Sequence, residues 1–527
     1  MTHELRTAVF APIAQALLRG LLPLAVLAML ATACGPSDGP TTTTASPRPL
    51  LLRRGLGAEP ATLDPRLAAD NAALAIAADR FEGLTTTGAD GSPVAGAAAS
   101  WEASPDELSY TFHLRPGLRW SNGDPLTAEH FAAALRWLVA PSSTAPNAGL
   151  YQGLQHAEAV DARTLRVTLR QRLPHLPALL ALPAAAPRHP SPDDAGSGPG
   201  NGAFRLEQRS VGHSVTLQRN PHYWDASKVA LDHVVYLTVA ELGTELNLYR
   251  TGQLDITSEV PNTHIATLRR ELPGELRITP YLGVYSYAVN LARLPDRDAR
   301  QALALAVDRG RITRQVTGAG ETPAFGWTPD GIPGYQPARF KWQALPHDET
   351  VRRARESWTN ARARGAAPES LTLCTDASTN HHRTAVALAD LWHTALGVAT
   401  TIVELEWTVY LDTRRNPGQC DLVRFGWSAD FVDPEAFATL FETSHPQNTL
   451  GYSSARYDEL LEQSRMASTS VERMALIAAA EAQLLEDVPF IPIFFRVSKR
   501  LVKPHVTGVR TNPLGQLPSR SLGLRQP

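Results

Sequence analysis

Hydrophobic positions change their period along the chain, and the changes divide it. Between residues 50 and 206 short alternating runs dominate: Tyr110, Phe112 and Leu114 face one way with polar residues between them, and the run stops at Pro116-Gly117, a turn signal. The reading is half-buried strands in a region of α+β character. The period then lengthens, with Phe131, Leu135 and Leu138 at helical spacing after Pro125 and Glu129 in the first turn, which predicts a helix over residues 127–138. After Asp298, residues Ala299, Ala302, Leu303, Ala306 and Val307 make a second amphipathic face, weakened at its far end by Gly310.

Beyond residue 370 the two periods alternate. Residues 371–375 read as a strand, and a helix follows with Ala385, Leu388, Ala389, Trp392 and Leu396 on one face. Residues 401–405 make a second strand, 407–414 a crossover helix and 421–427 a third strand. Strand, helix, strand, helix, strand implies parallel pairing. A long last helix opens on the capping box of Thr469 and Glu472 and ends before Pro489. The stretch 183–202 is the most Pro, Gly and Ala-rich internal segment and suits a crossing between lobes. Its Gly198, Gly200 and Ala203 loosely fit a dinucleotide pattern, but a strand follows where that motif needs a helix. No repeat of fixed period is present.

The amino terminus has a different pattern. Arg6 and Arg19 precede an apolar stretch over residues 20–30 that is too short to span a bilayer, and Ala31, Thr32 and Ala33 lead into Cys34, as in an export signal. Small residues running into a cysteine resemble the bacterial lipobox, which would make Cys34 a lipid attachment site, although Ala31 stands where Leu is usual. An ordinary signal cut nearby is the alternative. Residues 35–49 are rich in Gly, Pro, Ser and Thr and read as a tether. Gly35, Ser37 and Gly39 match a hydrolase motif with none of its strand-turn-helix context.

A length of 527 residues suits two or three domains. The formal net charge of −2 becomes −3 once residues 1–33, with two Arg and one Glu, are removed. With no basic stripe there is no footprint for nucleic acid. Three cysteines exclude a disulfide-dense scaffold and a four-cysteine zinc site; with Cys34 assigned to lipid, Cys374 and Cys420 could bridge in an oxidising compartment or remain two buried thiols.

In an open parallel sheet, ligands bind beyond the carboxyl ends of the strands. That rule selects Asn380, His381 and His382 at a helix start, where an anion is favoured, and Arg424, Trp427 and Asp430 around the end of the third strand. An anion-binding group and a cation-binding group separated by aromatic surface suit a zwitterion such as a free peptide. Each residue also has a plainer reading. Asp430 could open the turn before Asp433-Pro434, Arg424 could pair with Asp430, and Trp427 could be core. His381 and His382 lack a third metal ligand at recognisable spacing.

At these residues the chain resembles the oligopeptide-binding branch of extracellular solute-binding protein family 5, receptors that feed peptide ABC transporters. The words that carry the resemblance are LDP at 63–65, FEGL at 81–84, SWE at 100–102, YTFHLRPGLRWSNGDPLTAEHF at 110–131, NPHYWD at 220–225, the segment 303–309, EW at 406–407 and GWSADFVDP at 426–434. Their order holds across about residues 50–504.

The resemblance implies a mixed α/β fold: a periplasmic binding protein type II clamshell, with two lobes built from three domains around a ligand cleft. It divides the chain into signal 1–33, tether 34–49, domain I at 50–81, 196–280 and 496–527, domain II at 82–195 and domain III at 281–495. By the same resemblance Asp430 binds the peptide ammonium, Arg424 and His381 the carboxylate, and Trp427, Tyr285, Tyr287 and Asp70 join the ligand site. It implies a monomer anchored at the periplasmic side of a membrane through Cys34, with permease subunits as partners and no catalytic residue, cofactor or metal.

Four departures accompany it. Arg314, Gln315 and Thr317 occupy a region where some members have a lysine, Ala69 replaces an acidic residue beside Asp70, the stretch 151–202 is short, and Gly283 and Ser428 replace a bridged cysteine pair. Alternatives within the fold are a dipeptide, a cell-wall peptide, haem or a nickel chelate, the last two disfavoured by only four Met. A secreted hydrolase would need a nucleophile in a convincing context, and a purely structural envelope protein would not need a charged pair at the crevice.

Overall fold

The computed structural model describes residues 49–191, 196–445, 447–449 and 451–525. The export signal, Cys34 and the tether lie outside the described residues. The remainder is organised around three large sheets.

The first sheet has the order Leu51–Gly57, His233–Thr238, Ser214–Arg219, Phe204–Ser210, with the first pair parallel and the others antiparallel. The second is an antiparallel sheet of Ala98–Ala103, Ser109–Leu114, Thr164–Leu169 and Leu154–Ala159. Its strand Ser109–Leu114 buries Tyr110, Phe112 and Leu114, the face its alternation requires, against a helix over Ala128–Leu138 that contributes Phe131, Leu135 and Leu138.

The third sheet is mixed. Its order is Thr322–Pro323, Phe490–Leu501, Leu276–Val289, Leu422–Ser428, Ser370–Asp376, Ala399–Leu405. Ser370–Asp376 pairs parallel with both its neighbours, and the helices Thr379–Leu396 and Trp407–Arg415 make the two crossovers. This is the strand and helix alternation read from the periods. The rest of the sheet is antiparallel, because Leu276–Val289 lies between Leu422–Ser428 and Phe490–Leu501. The helix expected after Asp298 spans Arg297–Leu305 and stops short of Val307, since Asp308 caps a new turn by accepting from Arg311 N at 2.7 Å. The last long helix, Ser470–Asp487, is capped by Thr469, whose Oγ1 accepts from Glu472 N.

Cys374 and Cys420 are joined as a disulfide with Cα atoms 5.9 Å apart. The bond ties Ser370–Asp376 to the residue leading into Leu422–Ser428, two strands that the candidate site uses. With a sequence separation of 46, cross-linking removes unfolded-chain entropy worth at most about 4 kcal/mol. Substituting Cys374→Ser together with Cys420→Ser is expected to cost about 2–4 kcal/mol in urea unfolding.

Candidate functional site

The strand Leu422–Ser428 delivers Asp430 two residues beyond its end, and Ala429 N donates to Leu282 O at 2.8 Å, which fixes the exit direction. Asp430 is half-buried and faces a small cavity lined by Asn147, Gly149, Leu150, Trp427 and Phe431. Its carboxylate has no hydrogen-bond or ion-pair partner among the described residues, and burial pushes its pKa up to about 6. The turn role belongs instead to Asp433, whose Oδ1 accepts from Glu435 N at 2.9 Å. Trp427 donates its Nε1–H to Ala436 O at 2.6 Å, so its ring forms a fixed wall of the cavity.

The segment that holds Asp430 is clamped by charges. Arg473 donates to Asp433 Oδ1 at 2.7 Å and Oδ2 at 3.0 Å, and to Glu435 Oε2 at 2.7 Å, all three side chains being buried. Arg465 meets Glu435 from another helix at 3.3 Å. His175, from the part of the chain that carries the second sheet, stacks on Phe431 with ring centroids 4.9 Å apart and places Nδ1 3.4 Å from Glu435 Oε2. Burial works against the charge of Glu435, but His175, Arg473 and Arg465 outweigh it and hold the carboxyl down at about 2. His175, Asp433 and Glu435 converge closely enough to ligate a cation, yet both carboxylates are already held by guanidinium groups.

A second group sits earlier on the same strand. Arg424 does not pair with Asp430; its Nε lies 2.5 Å from Oδ1 of Asp376, the last residue of Ser370–Asp376. His381, one turn into the next helix, places Nδ1 2.9 Å from both Asp376 oxygens. Burial alone would raise Asp376, but the His381 hydrogen bond and the Arg424 charge hold its carboxyl well below the usual range. Burial and then Arg424 push His381 below its ordinary value despite Asp376. The guanidinium of Arg424 lies over the Tyr410 ring at 4.6 Å, and Tyr410 donates its hydroxyl to Arg424 O at 2.9 Å.

Tyr285 and Tyr287 come from the neighbouring strand, opposite Gly426 and Arg424. Their hydroxyls are 3.3 Å apart, and Tyr285 lies between Phe494, at 4.6 Å, and His381, at 5.4 Å between centroids. Gly283 and Ser428 face each other in the same pairing, so that position carries no cross-link.

Two selected residues are engaged elsewhere. Asp70 caps the helix Asn71–Arg80, with Oδ1 accepting from Ala73 N at 2.9 Å and Oδ2 from Ala61 N at 3.3 Å, so both oxygens serve the backbone. His382 meets Glu404 at 2.7 Å. Sequence reasoning missed Asp376, Tyr410, His175 and Arg473. Asp376 had a signal, since it ends a parallel strand; the others are joined to the site only by contacts distant in sequence.

The family model described as bacterial extracellular solute-binding proteins, family 5, middle, matches residues 92–449. The periplasmic oligopeptide-binding protein OppA of Salmonella typhimurium is 32% identical over 520 residues, covering 93% of this chain and 94% of that protein. The probable deoxycholate-binding periplasmic protein YgiS of Escherichia coli is 34% identical, covering 93% and 96%. The solved structure of the Escherichia coli murein tripeptide-binding protein MppA superposes with a TM-score of 0.85 at 32% identity, covering 90% of this chain and 99% of that one. The same protein in its unliganded open form gives 0.69, covering 90% and 98%.

Proposed function

We propose, starting from a chain that belongs to bacterial extracellular solute-binding protein family 5, that it captures extended oligopeptides in the periplasm and hands them to a membrane permease without chemical change. The observation that carries this reading is the unpartnered, desolvated carboxylate of Asp430 beside the aromatic wall of Trp427. A partly desolvated charge without a partner is costly to the free protein, so it suits a site whose partner arrives with the ligand. A peptide ammonium is that partner.

Arg424 lies six residues before Asp430, a span of at most about 20 Å for extended chain, or room for roughly six ligand residues. Trp427 supplies apolar wall, and Tyr285, Tyr287 and His381 line the far end. We place domain I at 50–81, 196–280 and 496–527, domain II at 82–195 and domain III at 281–495. The separate sheets support this partition, the first being assembled from strands on both sides of the second. Closure is a hinge motion whose bias equals the ligand's differential affinity for the closed state. The higher TM-score to one MppA structure than to its unliganded open form supports a closed arrangement here. Cys34 is the proposed lipid anchor, and the receptor acts as a monomer.

Native mass spectrometry of gently purified protein tests the reading. A heterogeneous set of short peptides released on denaturation is expected. A single steroid acid of the kind YgiS is named for, a haem or a nickel chelate would overturn it. The carboxylates at Asp430 and Asp376 argue against such anions.

A further inference from the structure

The second charged group contains more negative charge than capture of a peptide carboxylate requires. Arg424 and Asp376 are both buried and 2.5 Å apart. His381 adds an imidazole that burial and Arg424 disfavour from charging. Glu259 faces the same imidazole from another segment and already engages Asn380, with Nδ2 donating at 3.4 Å, and Lys499 at 3.6 Å. Lys499 is also claimed by Glu321 at 3.2 Å. Arg414 approaches from beyond Tyr410, but it lies against the Phe425 ring, 5.1 Å from its centroid. Among the described residues, neither Lys499 nor Arg414 is therefore a spare positive charge for this group.

We infer that Asp376 is a built-in counter-anion for Arg424 and His381, so that a ligand end reaching this ion pair is recognised without a free carboxylate. The inference rests on the peptide reading above and names its substrate class: peptides whose carboxyl end is amidated, capped, or simply not read. A ligand carboxylate would have to displace Asp376 from buried Arg424 and half-buried His381 or be buried beside it, and either leaves an uncompensated charge. A neutral acceptor has no such cost. Among the described residues no acceptor bonds the Nη1 or Nη2 groups of Arg424, and a peptide or terminal carbonyl can take their N–H groups while Asp376 stays in place. Tyr285, Tyr287 and Tyr410, all buried, surround the pair with ring faces and hydroxyls rather than charges.

Calorimetry with trialanine, tetraalanine and pentaalanine, each as free acid and as carboxyl-terminal amide, tests this on the full chain. The wild type should bind acid and amide within about threefold of one another, and Asp376→Asn should favour the acid by about tenfold or more. Asp376→Glu keeps the counter-anion and should keep the ratio near one, which separates charge compensation from a structural role. An amide bound about tenfold more weakly than the acid by the wild type would overturn the inference. So would an Asp376→Asn protein that melts normally, binds peptide and shows no gain for the acid. If Asp376→Asn does not fold, the wild-type ratio together with Asp376→Glu still decides. Failure of the wild type to bind any alanyl peptide in either form is a different result, and it removes the peptide reading itself.

Discussion

Replacing Asp430 by Ala is expected to weaken peptide binding by a factor of about thirty to a few thousand, because removing one member of a buried charge pair costs about 2–5 kcal/mol. The same substitution should make the ligand-free protein more stable at neutral pH. Burial raises the Asp430 pKa from its ordinary 3.8 to about 6, so the folded state holds this proton more tightly than the unfolded chain. That stabilisation is complete below pH 3.8 and is lost as the pH rises through about 6. At pH 7 the free protein therefore carries an unfavourable charge, which a ligand ammonium would relieve. Binding has the opposite sense: affinity should fall by up to about tenfold per unit as the pH drops below 6, with proton release on binding near that pH. A melting temperature that rises in Asp430→Ala while affinity collapses is the joint signature. Unchanged affinity would remove Asp430 from the site.

The second large effect is expected at Arg473. It satisfies Asp433 and Glu435 together, immediately after the Asp430 segment, so Arg473→Met should leave two buried carboxylates short of a counter-charge they share. Breaking a buried ion pair from one side costs about 3–5 kcal/mol. Urea unfolding should show a loss of that order, and peptide affinity should fall as well because the loop carrying Asp430 loses one of its anchors. In the wild type, Glu435 is depressed from 4.5 to about 2. Its contribution is fully present above pH 4.5 and lost as the pH falls through about 2. Arg473→Met should flatten that acid limb. A variant as stable as the wild type, with an unchanged acid limb, would show that the clamp carries no such energy.

The parallel part of the third sheet was legible because its strands and crossover helices are short and differ cleanly in period. From the sequence, the crevice rule selects Asp430, Trp427, Arg424 and His381. The long strands Leu276–Val289 and Phe490–Leu501 were not legible. Eight successive residues of the first and six of the second are buried, so neither shows alternation where it crosses the centre of the sheet. Asp376 was missed by one position, since the strand was read as ending at Thr375 and no local pattern joins it to Arg424, 48 residues later. Asp70 illustrates the reverse error. A carboxylate two residues before an alanine-rich helical run reads as a cap on local grounds, and the resemblance drew it towards the ligand, whereas both its oxygens serve the backbone.

The central claim, that Asp430 recognises a ligand ammonium, is tested most directly by the amino end of the ligand itself. Calorimetry at pH 7.5 with tetraalanine and its N-acetyl derivative changes one charge and leaves the protein untouched. The account predicts that acetylation weakens binding by at least on the order of a hundredfold, since it leaves the desolvated carboxylate unpaired. Equal affinity for the free and acetylated peptides would contradict it.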